Sequence, residues 1–143
     1  MKYLYTLFLN LFLCVGLFGQ DTLTEPPASF EIVVAFGSKG TGISSDEFLT
    51  GFNKKFSKKY KVKLSVFQLT GCGREGETKV LYSLKKIKPS LQKKIRAELK
   101  TTIDKENAKN YRLSPSNGDI VILFNQQLAA FSYCRGKLKK WPN

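Results

Sequence analysis

Two stretches of alternating apolar residues flank a glycine-rich turn near the middle of the chain. They are residues 62–68 and 80–84, and the turn is residues 71–77, GCGREGE. Alternation with period two predicts strands, and a connection that contains glycine predicts that the strands pair as a hairpin. The second stretch contains no strand breaker and could also open a helix, so residues 78–84 are predicted as strand with helix as the alternative.

Two amphipathic helices and two further strands surround this hairpin. Residues 46–60 and residues 89–110 carry apolar side chains at helical spacing, with lysines on the remaining positions. Residues 30–36, FEIVVAF, and 119–124, DIVILF, are short, apolar and β-branched, which predicts strands. The order of elements is therefore strand, helix, strand, strand, helix, strand.

That order predicts an α+β fold of the ferredoxin-like split βαβ type, with both helices on one face of an antiparallel sheet. Its strands would lie in the order fourth, first, third, second. The fourth strand would then be an edge, although its residues are apolar on both faces. An additional C-terminal strand, residues 128–134, is therefore predicted to cover that edge.

The sheet face opposite the helices is predicted to carry apolar side chains, namely Val33, Ala35, Val121 and Leu123. Soluble proteins rarely leave such a patch bare. Three coverings are consistent with the sequence: the C-terminal tail, a partner protein, or a second copy of the chain in a homodimer.

The N-terminal residues predict export. Residues 1–19 combine Lys2, a long apolar run and a small residue at Gly19, which is typical of a secretory signal peptide. A permanent membrane anchor is the alternative, but the apolar run is short for a spanning helix. We therefore predict a secreted or periplasmic protein, with a flexible lead-in at 20–29, one domain at 30–134 and a basic tail at 135–143.

Cys72 and Cys134 remain after removal of such a leader, and an even number of cysteines in an exported chain favours a disulfide. Two buried thiols are the alternative. The bridge conflicts with the predicted C-terminal strand, because a strand that folds back at residue 128 would carry Cys134 away from Cys72. The sequence leaves this conflict open.

The composition removes several kinds of chemistry. The chain has no histidine, the most common general base and metal ligand, and we predict no catalytic residue, cofactor or metal. Arg74, Glu75 and Glu77 form a compact polar cluster on the central turn. A hydrolase that uses Glu75 and Glu77 is a distant third hypothesis. The glycine-rich segment 37–42, which contains Lys39, matches neither the dinucleotide fingerprint nor the P-loop and is predicted to be a structural turn.

Charge indicates a binding surface. The chain has 24 lysines and arginines against 11 acidic residues, for a net charge of +13. The helix lysines could form a positive surface for an anionic lipid or glycan. Nucleic acid is disfavoured by export and by aromatic residues that fall on core positions. The positive residues expected on this surface are Lys54, Lys55, Lys58, Lys93 and Lys94.

The function predicted from these residues is that of a small, basic, exported and non-enzymatic binding module. It would contact an envelope or extracellular protein, or an anionic polymer, through the glycine-rich turns and the lysine-rich helix faces. The alternative is an inhibitor or immunity-type protein that inserts the 71–77 turn into the cleft of a target enzyme. The binding residues predicted are Arg74, Glu75, Glu77, Lys39, Lys54, Lys55, Lys58, Lys93 and Lys94.

Overall fold

Two helices pack on one face of an antiparallel sheet in the structure, a computed structural model that describes residues 26–39, 42–43, 45–113 and 118–142. The predicted signal peptide, most of the lead-in and the side chain of Lys39 lie outside the described part. The strands are β1 Ser29–Phe36, β2 Ser38–Lys39, β3 Gly42–Ile43, β4 Ser65–Leu69, β5 Lys79–Ser83, β6 Ile120–Gln127 and β7 Lys139–Lys140. The helices are α1 Glu47–Tyr60, α2 Pro89–Leu113 and a short 3₁₀ helix, Leu128–Phe131.

The sheet confirms the prediction of an α+β fold with an antiparallel sheet. Its strands lie in the order β6-β1-β5-β4-β7, and every neighbouring pair is antiparallel. Val33 on β1 lies between Leu81 on β5 and Leu123 on β6. The strands β2 and β3 pair with each other as a separate two-stranded antiparallel sheet. Residues 79–83 are strand, which decides between the two alternatives left open above.

The main core lies between the sheet and the two long helices. Alternate residues of β1, including Ile32 and Val34, face the apolar stripes of α1 and α2 and are fully buried. Helix α1 ends at Lys61, which takes the left-handed conformation (φ 51°) and donates its backbone N–H to the carbonyl of Ser57. The helix-spaced residues on the two stripes are Leu49, Phe52, Phe56, Ile95, Leu99 and Ile103.

The predicted C-terminal strand at residues 128–134 is wrong. Residues 128–131 form the 3₁₀ helix, and Cys134 follows it. Leu128 and Phe131 are three residues apart, so one turn of helix places both on the same side against the sheet, whereas Ala129 and Ala130 are exposed. The chain then adds β7 beside β4, at the opposite edge of the sheet from β6.

This C-terminal segment covers much of the second face of the sheet. Phe131, Val33 and Leu81 are buried there together with Phe30, which the alternation had placed on the helix side. The chain's own C-terminal segment, one of the three predicted coverings, therefore covers much of this face. Val121 stays 48% exposed, and the homodimer stays a prediction.

Residues 135–142, predicted as a tail, lie along β4. The backbone N–H of Gly136 donates to the carbonyl of Thr70 at 3.0 Å, and that of Trp141 donates to Val66 at 2.9 Å. Trp141 is only 5% exposed. The C-terminal segment therefore joins the two ends of β4, with Cys134 near the 71–77 turn and Trp141 near residues 62–64.

Candidate functional site

The base of the 71–77 turn is fixed to the C-terminal segment. Cys72 forms a disulfide with Cys134, which confirms the predicted pairing. The backbone N–H of Arg135 donates to the carbonyl of Gly71 at 3.0 Å, and that of Cys72 donates to the carbonyl of Glu77 at 2.8 Å. The conflict between the bridge and the C-terminal strand is thus settled in favour of the bridge.

The tip of the turn is exposed. Arg74 and Glu75 both lie on the surface, between glycines at positions 73 and 76. Gly76 has a φ of 82°, and Gly71 at the base has a φ of 66°, a conformation that other residues rarely adopt. We call residues 71–77 the recognition loop. Its backbone is held at the base while two oppositely charged side chains face solvent at the tip.

Glu77 belongs to the base of this loop, away from the other two predicted residues. Its Oε1 accepts a hydrogen bond from the hydroxyl of Ser38 at 2.9 Å, and its carboxylate packs against Gly73, where a Cβ would overlap it. Its other oxygen, Oε2, is buried and has no hydrogen-bond partner among the described residues. Glu77 therefore connects the recognition loop to β2 through Ser38.

The pKa of Glu77 lies below its ordinary value. Its own backbone N–H and then the Ser38 hydroxyl lower it, and partial burial opposes them. A general acid needs a raised pKa, so this environment does not favour Glu77 as the acid of the hydrolase hypothesis.

Replacing Glu77 with glutamine should lower the melting temperature near neutral pH, and the gap to the wild type should narrow in acid. A carboxylate whose pKa is depressed by folding stabilises the fold above its ordinary pKa of 4.5, and that contribution disappears as the pH falls through the folded value. Melting curves between about pH 7 and pH 3 measure this. Ser38→Ala should show the same narrowing, and a pH-independent gap for both variants would contradict the assignment.

The predicted helix lysines lie on the surface of both long helices. Lys54, Lys55 and Lys58 are exposed on α1, and Lys93 and Lys94 are exposed on α2. The two helices meet at Tyr60, whose ring lies 5.1 Å from the Nζ of Lys94. These five residues and Lys59 are called the lysine face.

One acidic residue interrupts this face. Glu98 accepts hydrogen bonds from the hydroxyl of Tyr60 at 2.5 Å and from the Nζ of Lys59 at 2.9 Å. These two bonds, the first of them foremost, lower the pKa of Glu98. The carboxylate therefore stays charged near neutral pH and offsets part of the positive charge between the helices.

Sequence reasoning missed a cavity at the other end of β4. It has a volume of about 300 Å³ and lies between α1, residues 62–64 and the C-terminal residues 141–142. Asn53 and Trp141 both line it, and each has a buried N–H donor without a partner among the described residues. Asn53 could have been noticed as a polar residue on the apolar stripe of α1. Trp141 could not, because its position depends on the path of the C-terminal segment.

Comparison with known proteins gave no match to a family model, to a curated protein or to a solved structure. Within the described ranges, no helix is long and apolar enough to span a bilayer. Histidine, cysteine and acidic side chains in the same ranges form no group of three that could hold a metal ion.

Proposed function

We propose that this protein is a small exported binding module that contacts an envelope or extracellular protein through the recognition loop. The observation that carries the proposal is the combination of a fixed base and an exposed tip. The disulfide and the main-chain hydrogen bonds hold the base at Cys72, and Arg74 and Glu75 are exposed at the tip. The leader-like segment at residues 1–19 and the disulfide support export.

A fixed base matters because binding orders the residues that make contact. A loop that already holds its bound conformation loses less conformational entropy on association, so more of the contact energy appears as affinity. Arg74 can form two parallel hydrogen bonds to a carboxylate of the partner, and Glu75 can pair with a cation. An inhibitor of a target enzyme is one form of this function, in which the tip enters the cleft of that enzyme.

The double variant Arg74→Ala/Glu75→Ala should lose capture of the protein partner while keeping its fold. If these side chains are central to the interface, the affinity should fall roughly tenfold or more. The measurement is capture from envelope extract at near-physiological salt, followed by titration of the protein that is recovered. Circular dichroism and retention of the disulfide report on folding.

A matched control is available on α2. Lys100 and Asp104 form an exposed ion pair, and their side chains are 66% and 60% exposed. Their net charge of zero equals that of Arg74 and Glu75. The variant Lys100→Ala/Asp104→Ala should capture the partner as well as the wild type does. Equal capture by the recognition-loop variant and the wild type would overturn the proposal.

The lysine face supports a second candidate, binding of an anionic lipid or glycan. The observation that favours it is the meeting of lysines from both helices at Tyr60, where the Nζ of Lys59 lies 4.8 Å and that of Lys94 lies 5.1 Å from the ring. The same capture experiment separates the two candidates. A polyanion would be recovered by the wild type and by both double variants, and moderate salt would release it because screening weakens exposed charge contacts.

A further inference from the structure

The cavity beside Asn53 lies at the opposite end of β4 from the recognition loop. Its walls come from three separate parts of the chain: α1, the segment before β4 and the C-terminal residues after β7. A volume of about 300 Å³ is at the lower end of pockets that bind small molecules. The cavity therefore suits a compact ligand, independently of what the recognition loop binds.

Two buried donors distinguish this cavity from an ordinary surface groove. Asn53 is 6% exposed and Trp141 is 5% exposed, so both are more than nine-tenths buried. The hydroxyl of Tyr82 donates to Oδ1 of Asn53 at 3.0 Å, which leaves the Nδ2 group of the same amide without a partner. The indole Nε1 of Trp141 also has none. Buried N–H groups are nearly always paired in folded proteins, so two unpaired donors on residues that line one cavity point to an acceptor bound there.

The remaining walls define the chemistry of that acceptor. Lys54 and Lys63 line the cavity, and no acidic side chain among the described residues does, so the charge of the site favours an anion. Val62, Leu64 and the Trp141 ring supply apolar surface. A ligand that satisfies all of these features has an acceptor group with a negative charge and a small apolar body.

We infer that this cavity is a binding site for a small monocarboxylic acid. The carboxylate accepts hydrogen bonds from Nδ2 of Asn53 and Nε1 of Trp141, with Lys54 and Lys63 contributing positive charge. The apolar body of the acid packs against Val62 and Leu64. A carboxylate suits this site because two neutral donors and flanking ammonium groups match its two oxygens and single charge.

The purified protein can be tested with three acids and the alcohol that corresponds to each. The pairs are benzoate and benzyl alcohol, 3-phenylpropanoate and 3-phenylpropanol, and 3-methylbutanoate and 3-methylbutanol. Trp141 is the only tryptophan of the chain, so its fluorescence and its indole N–H resonance report directly on the cavity. At least one acid should give a saturable change in both signals and bind roughly tenfold or more tightly than its alcohol, the expected gain from hydrogen bonds to a charged group.

Variants then locate the site. Trp141→Phe keeps a ring and removes the N–H, so the affinity for the acid, measured by calorimetry, should fall about tenfold. Lys54→Gln should weaken binding severalfold, whereas Lys86→Gln, at an exposed position outside this cavity and outside the lysine face, should not. If Trp141→Phe does not fold, the two lysine variants and the indole resonance of the wild type still test whether the acid binds in this cavity. Binding of no acid more tightly than its alcohol, or acid binding that leaves the indole resonance unmoved, would overturn the inference.

Discussion

Replacement of both Cys72 and Cys134 with serine should lower the free energy of unfolding by about 4 kcal/mol. The two cysteines are 62 residues apart, and a cross-link across so long a loop removes many conformations from the unfolded chain. Urea denaturation followed by circular dichroism should show a midpoint that falls on the order of 2 M.

In addition to this global loss, the C-terminal segment should open locally more often without the bridge. Arg135 and Gly136 follow Cys134 directly and donate hydrogen bonds to Gly71 and Thr70. Without the bridge, hydrogen exchange of these amides should accelerate more than that of the central strand β1. The wild type in a reducing agent is the matched control, since it should reproduce the variant. A loss below about 1 kcal/mol would show that the unfolded chain is already restricted near these residues.

Replacement of Phe131 with alanine should lower the free energy of unfolding by about 3–5 kcal/mol, the usual cost of removing a buried aromatic ring. Phe131 is 5% exposed and packs with Val33 and Leu81 on the face opposite the long helices. The cavity left behind would lie between the sheet and the 3₁₀ helix. Thermal and urea denaturation measure the effect.

Tyr133→Ala is the matched control, two residues along the same segment. Tyr133 is 58% exposed, although the Nζ of the buried Lys79 lies 5.8 Å from its ring and 5.4 Å from that of Phe131. Loss of this cation–π contact should cost at most about 1 kcal/mol. Equal losses in the two variants would contradict the role of the C-terminal segment as a second packed layer.

Local patterns predicted the elements well where a periodic stripe runs for several turns or along a whole strand. The helical spacing of Leu49, Phe52 and Phe56 predicted α1 correctly, and the alternation around Val80 predicted β5. Helix α2 extends to Leu113, beyond the end that its stripe predicted. The recognition loop was also predicted, but Glu77 was grouped with Arg74 and Glu75, because sequence spacing does not show which side chain turns towards Ser38.

Local patterns predicted the two helices, the main strands, most of the helix-side core and the two cysteines available for pairing. Each depends on contacts between near neighbours or on the composition of one segment. The fold as a whole sets the path of the C-terminal segment, the sheet edge that it extends and the placement of Trp141 and Asn53 around one cavity. Those outcomes depend on which of two sets of distant contacts forms. The Cys72–Cys134 bridge and the burial of Phe131 compete with pairing of the same segment as a strand beside β6. Periodicity within one segment contains no information about that competition.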